Sequence, residues 1–461
     1  MWRLTIVPAL LLFISAPSVR GVERQVRHVV LVSVDGLSAS YLTDQRANMP
    51  NLRSMAKQGV SAEGMVTSFP SVTWPSHTSL ITGTVPARHG VIGNAVWNRE
   101  THQEVKYIGD PVLTRDEAIR VPTLYDVAHA AGLSTASVIW PCSNGAKTLN
   151  WIIPDSNRAE IHARYTTPGF VDELADAGID ISKLGEWGWG KQQSTNRDIV
   201  YTQVTKHLLS QHKVELILLH LITPDGVEHG YGPNTPAAYQ AVGESDERLG
   251  EIWDALQQPP FAGNSTMFIV SDHGFAPYEK LIRPNVVLKS LGLIGTDEQN
   301  KVTERSAWCV AQGGSAFIYV LDDERRAEIT ATLIQELAGV EGVLSVMRPA
   351  EFTPLGVPDP ATNPEAPHLV LTTGPGYSFD NSVKGDSVVD AGRHKGSHGH
   401  DPRPDYMHAT FVAVGNGIKP GTKLEFIRNV DVAPTIALLL GLKMDSDGRV
   451  LTEALTIRGA R

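Results

Sequence analysis

The chain has 461 residues, 42% hydrophobic and 20% charged, an ordinary globular balance whose core needs neither disulfides nor structural metal. Its length suits one large domain with an insertion, or two to three domains of roughly 100–200 residues each. A formal charge of −10 argues against a nucleic acid polymer as partner, while small anionic substrates stay open because bound cations reverse a local field.

The N-terminal stretch places Arg3 before an apolar run from Leu4 to Ile14 and then small residues. This is the pattern of a secretory signal peptide, too short to span a bilayer, which takes about 20 apolar residues. Residues 1–21 are read as the leader, cleaved between Ala16 and Gly21, and the protein as secreted or periplasmic. A buried N-terminal strand or helix is the alternative. Removing the leader takes away Arg3 and Arg20 and no acid, leaving a charge of about −12. No later segment is long enough to cross a membrane and no lipobox cysteine occurs, so a stable membrane anchor is not expected. Oligomeric state is not legible.

Apolar runs bounded by turns predict strands buried on both faces. They are His28–Gly36, Leu133–Trp140, the apolar half of Val214–Gly230, Ser265–Gly274, Ser315–Leu321 and Ala409–Gly415. Helical patterns alternate with them. MPNLRSMAKQG ends at Gly59, TWPSHTSLITG has Pro75 near its first turn and Gly83 at its C-cap, and VPTLYDVAHAAG has Pro122 in its first turn and Gly132 at its C-cap. NRDIVYTQVTKHLLSQH and DERRAEITATLIQELAG are longer amphipathic examples. The alternation predicts an α/β fold, a mostly parallel sheet with helices on both faces. Pro141–Thr195, with GEWGWG, breaks the rhythm. So does a segment from Pro277 to about Gly392, read as a cap subdomain inserted into a domain spanning 22–461. Cys142 and Cys309 are the only cysteines. They exclude a thiolate metal site and leave open one disulfide or two free thiols.

Asp35, Asp225 and Asp272 stand where three predicted strands stop, the edge at which parallel sheets bind ligands. Singly, each suits a turn or an N-cap. Jointly, with His229 four residues after Asp225, His273 beside Asp272 and His398 in KGSHGHDP, they offer hard oxygens and imidazoles. That donor set suits zinc, and manganese or iron also fit. Two such ions about 3.5–4 Å apart clamp the attacking and leaving oxygens of a displacement at phosphorus. Thr73 opens the TWPSHTSLITG helix, where free N–H groups favour an alkoxide and a phosphoryl oxygen. A cap is its plainer role. Two dications against three aspartates leave one positive charge, which a Thr73 alkoxide cancels.

VSVDG, MPNLRSMAKQGV, SFPSVTWPSHTSLITGTVPARHGVIGN, TPDGVEHGYGP, SDHG and GSHGHDP occur in the order of the alkaline phosphatase superfamily. The chain most resembles its nucleotide pyrophosphatase/phosphodiesterase family. The resemblance implies the alkaline phosphatase-like three-layer α/β sandwich and two Zn2+ ions. Asp35, Thr73, Asp272 and His273 match one set of ligands, and Asp225, His229 and His398 the other. His394 and His400 flank the third of these. Thr73 matches the nucleophile, Asn94 the asparagine that hydrogen-bonds a phosphate oxygen, and Trp74 the aromatic that stacks the substrate's organic group. In WPCSNGAK, Cys142 replaces the family's glycine. His400 stands where an aromatic follows HG, and the family's Asn beside the next aspartate is missing. These departures surround the leaving-group pocket. The sulfatase Cys/Ser-x-Pro-x-Arg motif does not occur at Thr73.

The expected activity is hydrolysis of phosphodiester or phosphoanhydride bonds in a small phosphate ester such as a nucleotide. A diester carries one negative charge; a monoester carries about two and needs extra cations. Superfamily monoesterases of this type use K-x-R, whereas this chain offers Lys147, taken as substrate-binding, then Arg158 and Arg164. A phosphomonoesterase or phosphonate hydrolase on the same residues is the alternative. From another class, the alternative is a secreted metal-binding protein without turnover.

Overall fold

The computed structural model describes residues 24–108, 113–187 and 191–456. The leader and the end of GEWGWG lie outside them. Among the described residues no helix is long and apolar enough to cross a membrane.

The central sheet takes its strands from β1 (His28–Val34), β2 (Val60–Val66), β3 (Thr135–Val138), β4 (Trp151–Ile153), β5 (Leu216–Leu221), β6 (Ser265–Val270), β7 (Phe411–Gly415) and β8 (Thr422–Arg428). Their order is β8-β2-β7-β6-β1-β5-β3-β4. β1 runs parallel to β5 and β6, its neighbours on either side. The alternation of a strand divides its side chains between two cores. Val29 and Leu31 enter one apolar cluster, and Val30, Val32 and Val34 enter the other. Burying these five side chains contributes on the order of 10 kcal/mol before chain entropy is counted.

Helices cover both faces, among them α1 (Pro50–Gln58), α2 (Thr73–Thr82), α3 (Leu124–Ala130), α4 (Lys191–His207), α5 (Thr223–Tyr231) and α6 (Pro236–Leu256). The expected α/β layering is therefore found. α3 begins later than predicted. Thr123 takes the N-cap and bonds the Asp126 N–H, so Pro122 stands just outside, and Ala131 rather than Gly132 is the C-cap.

The sheet is mostly parallel, as expected, with one exception. β7 lies antiparallel to both β6 and β2, with Phe411 opposite Val270. The chain enters it from the carboxyl edge of β6, so it must run backwards. Ser315–Val320 is a strand of the segment at 277–392, as expected, and pairs in a separate four-stranded antiparallel sheet with Ala307–Ala311, Leu369–Thr373 and, beyond the latter, Val343–Met347. That sheet and its helix α7 (Arg326–Ala338) fall within the segment read from sequence as a cap. Phe317 and Leu333 share one apolar cluster with Leu31 and Phe268, so the cap's core runs into that of the main sheet. Cys142 and Cys309 are both free.

Candidate metal centre and substrate cavity

β6, β1 and β5 are adjacent, so their carboxyl ends form one continuous edge. Asp35 follows β1, Asp272 and His273 follow β6, and Asp225 and His229 lie one turn apart on α5, directly after β5. His398 arrives from the cap side. Gly396–Ser397 pairs antiparallel with Ala276–Pro277, which extends the chain just beyond His273. The His273 and His398 rings then stack at 3.7 Å with 8° between planes.

Donor atoms converge at two points. His273 Nε2 lies 3.3 Å from Asp35 Oδ1 and 3.2 Å from Asp272 Oδ2. Asp225 Oδ1 lies 3.3 Å from His229 Nε2 and 3.6 Å from His398 Nε2. Ligands at about 2.0–2.1 Å around a tetrahedral zinc are separated by about 3.3–3.4 Å. Asp35 Oδ1, Asp225 Oδ1, Asp272 Oδ2 and His273 Nε2 are buried without hydrogen-bond partners. Such atoms cost about 1–3 kcal/mol apiece, more when charged, and a cation between them removes that cost. The residues present therefore fit metal ions. Asp225 also falls within 4.8 Å of Asp35 and His273 donors, so the two groups abut.

The electrostatics agree. Burial, then the neighbouring Asp272 and Asp225, pushes the Asp35 carboxyl well above its usual range. Burial raises Asp225 too, yet His229, by charge and hydrogen bond, brings it below the carboxylate range. Burial and the adjacent His273 hold His398 far below ordinary histidine, leaving it the neutral imidazole that a metal requires.

Thr73 is the first residue of α2, and Val72 rather than Thr73 occupies the N-cap position. The plainer capping role is not the one it plays. Pro75 sits in the first turn and Gly83 closes the helix, as expected. Asn94 Oδ1 accepts the Trp74 N–H at 3.0 Å, which leaves the Asn94 amide N–H groups as donors. Thr73, Trp74, Asp35 and Asp225 line a cavity of about 290 Å3 that also takes in Asp155 and Ser156. Lys147 is exposed and does not line it.

Several residues that hold the site were not singled out in the sequence. His220, inside β5, bonds Asp35 Oδ2 at 3.0 Å. Its signal was a lone imidazole within an apolar run. His77, on α2, bonds the Thr73 carbonyl at 2.9 Å, and its own carbonyl accepts Trp140 Nε1–H at 3.3 Å. Burial takes both imidazoles down to about 3. Asp198, on α4, accepts the N–H groups of Ile222 and Thr223 at 2.9 and 3.0 Å, fixing the start of α5. Gln312, at the tip of a cap hairpin, accepts the Asn94 N–H at 3.0 Å. Burial lifts the cavity carboxyl of Asp155 to about 7 against the pull of Arg197.

Comparison with known proteins finds a family model, relatives and solved structures similar to this chain. Residues 29–401 match the family model for type I phosphodiesterase / nucleotide pyrophosphatase. Ectonucleotide pyrophosphatase/phosphodiesterase family member 7 of Rattus norvegicus is 25% identical over 422 residues, covering 91% of this chain and 85% of the relative. A bis(5'-adenosyl)-triphosphatase of Xenopus laevis is 23% identical over 424 residues, covering 90% and 78%. Among solved structures, murine ectonucleotide pyrophosphatase / phosphodiesterase 5, an inactive variant in complex with AMP, superposes with a TM-score of 0.69 at 17% identity, over 93% of this chain and 100% of that one. The human counterpart gives 0.67 at 17% identity over the same shares. At these identities the superpositions establish the alkaline phosphatase-like fold.

Proposed function

The chain belongs to the type I phosphodiesterase / nucleotide pyrophosphatase family, and on that premise we propose that it hydrolyses phosphodiester or phosphoanhydride bonds of small phosphate esters such as nucleotides, with Thr73 as nucleophile. The observation that carries this reading is the convergence of partnerless buried donors at tetrahedral spacing beside a cavity that Thr73 also lines.

Asp35, Thr73, Asp272 and His273 would hold one zinc ion, and Asp225, His229 and His398 a second. When bound, the two ions supply positive charge to the attacking and leaving oxygens and lower the cost of an alkoxide. The chain's own part is positioning. The Thr73 hydroxyl stands at the N-terminus of a ten-residue helix, where the helix dipole favours negative charge. Asn94, its Oδ1 turned to the Trp74 N–H, directs N–H groups at a non-bridging oxygen. Trp74 offers its ring to the organic group. The Thr73 Oγ–P bond forms as the bond from phosphorus to the departing oxygen breaks, and that oxygen takes up a proton. Water then adds across the Oγ–P bond, restoring the hydroxyl and releasing the phosphate half.

Diester preference rests on the lining. Among the described residues no lysine or arginine lines the cavity, and Asp155 does, so a dianionic monoester gains no extra cation there. The test compares bis-p-nitrophenyl phosphate, p-nitrophenyl thymidine phosphate and p-nitrophenyl phosphate under saturating zinc, with wild type and Thr73→Ala. We expect diesters to be preferred, and the alanine variant to keep its metal and lose hydrolysis. A clear monoester preference overturns the substrate claim. Unchanged hydrolysis by the variant overturns the nucleophile.

A further inference from the structure

We propose that Glu173, His207 and His212 form a separate binding site for one divalent transition ion, zinc being the best match. The donor atoms of these three residues lie within 4.8 Å of one another, the one such group among the described residues that shares no member with the catalytic centre. Both imidazole Nε2 atoms sit 2.6 Å from the same Glu173 Oε1. Two histidines and a glutamate are an established zinc ligand set, and the fourth position is left to water.

The backbone is built for it. His207 is the last residue of α4, and Leu208–His212 continues as a π-helical turn that Lys213 ends in the left-handed conformation. Were the α-helix to continue at about 100° per residue, side chains five apart would diverge by about 140°. The i→i+5 winding of a π turn narrows that angle, and such turns recur at functional sites. It brings the two rings to 6.0 Å on the side facing Glu173, which lies on the helix Phe170–Asp176. Neighbouring rings steer both imidazoles: Trp151 lies 4.4 Å from His212 and Phe170 lies 6.4 Å from His207.

The site is remote from catalysis. Ser194, on the same helix α4, lines the substrate cavity, and His207 is thirteen residues further along, roughly 20 Å at 1.5 Å per residue. Binding replaces the protons now shared with Oε1 and opens the N···O spacing by about 0.7 Å to the tetrahedral edge. Glu173 and His212 side chains are 35% and 26% exposed, enough freedom for that shift. A bound ion would fasten the Phe170–Asp176 helix to the end of α4.

The experiment counts zinc per chain in the holoenzyme after dialysis against a zinc buffer, for wild type, His212→Ala and Glu173→Gln. The same samples are assayed for bis-p-nitrophenyl phosphate hydrolysis and melted at increasing zinc. We expect wild type to hold one equivalent more than either variant at equal kcat/KM. Its melting temperature should keep rising with zinc after hydrolysis has saturated, and that of the variants should not. Equal zinc in all three proteins, or a wild-type melting temperature indifferent to zinc beyond catalytic saturation, overturns the proposal. If His212→Ala fails to fold, Glu173→Gln, which keeps the side chain's shape and one acceptor oxygen, gives the same readout.

Discussion

Each histidine of the candidate metal centre is followed by a glycine, and the structure assigns two of these three, Gly399 and Gly230, opposite fates on substitution by alanine. Gly399, after His398, has φ +84°, and a Cβ there would lie 1.7 Å from the Gln312 carbonyl oxygen and 3.0 Å from Val72 Cγ1. Ordinary contact for a Cβ begins at 3.4 Å, so from 1.7 Å something must withdraw by about 1.7 Å. Neither side is free to do so. The Gly399 N–H donates to the Ser71 carbonyl at 2.8 Å, and the Gly314 N–H, two residues from Gln312, donates to the His398 carbonyl at 2.7 Å. Gln312 Oε1 meanwhile holds Asn94. Left-handed backbone costs an alanine about 1–2 kcal/mol and overpacking about 1–3 more, a total of roughly 2–5 kcal/mol in stability. The same retreat carries His398 away from Asp225, now 3.6 Å distant, and a misplacement of about 1 Å costs about 100-fold in rate.

Gly230, after His229, is helical and exposed, and a Cβ added there would meet nothing within 4 Å. Alanine at this position gains up to about 1 kcal/mol of helix stability and leaves the site alone. The assay is bis-p-nitrophenyl phosphate hydrolysis with zinc content and thermal melting on both variants. We expect Gly399→Ala to lose at least about 100-fold in kcat/KM together with part of its zinc, and Gly230→Ala to match or exceed wild type in stability at equal rate. Wild-type kcat/KM and zinc content in Gly399→Ala would refute the reasoning.

Three further outcomes follow from the same geometry. His220→Ala removes the bond to Asp35 Oδ2 and should weaken zinc binding about 10–100-fold, with hydrolysis restored by excess zinc; loss that zinc does not restore would assign His220 another role. The Asp155 carboxyl, lifted by burial to about 7, is neutral below that pH and negative above it, so KM for an anionic nucleotide should rise as pH climbs past about 7. Asp155→Asn should flatten that rise, and an equal rise in the variant counts against it. Trp74→Ala should raise KM for p-nitrophenyl thymidine phosphate more than for bis-p-nitrophenyl phosphate; equal effects would make Trp74 a packing residue.

What sequence could and could not yield divides along the distance between partners. Asp35, Asp225 and Asp272 were legible because strand ends of a parallel sheet point ligands to one edge, and three adjacent strands brought them together. Thr73 was legible because Pro75 and Gly83 frame its helix within ten residues. His398 stood among His394 and His400 until pairing of Gly396–Ser397 with Ala276–Pro277 distinguished them. That register leaves His394 exposed, buries His400 against the backbone of Gly314, and turns His398 to Asp225. Ser315–Val320 was legible as a strand of the inserted segment, but periodicity could not name its partners, Ala307–Ala311 and Leu369–Thr373. The segment read as a cap also reaches the site. Its hairpin tip at 312–314 bonds Asn94 on one side and the His398 strand on the other, and contacts across more than 80 residues of chain leave no local pattern to read. The parts of the site that the sequence left open are therefore those that this segment contacts, which is why Gly399, present in the GSHGHDP motif but given no role by it, is the sharper probe of the arrangement than any ligand.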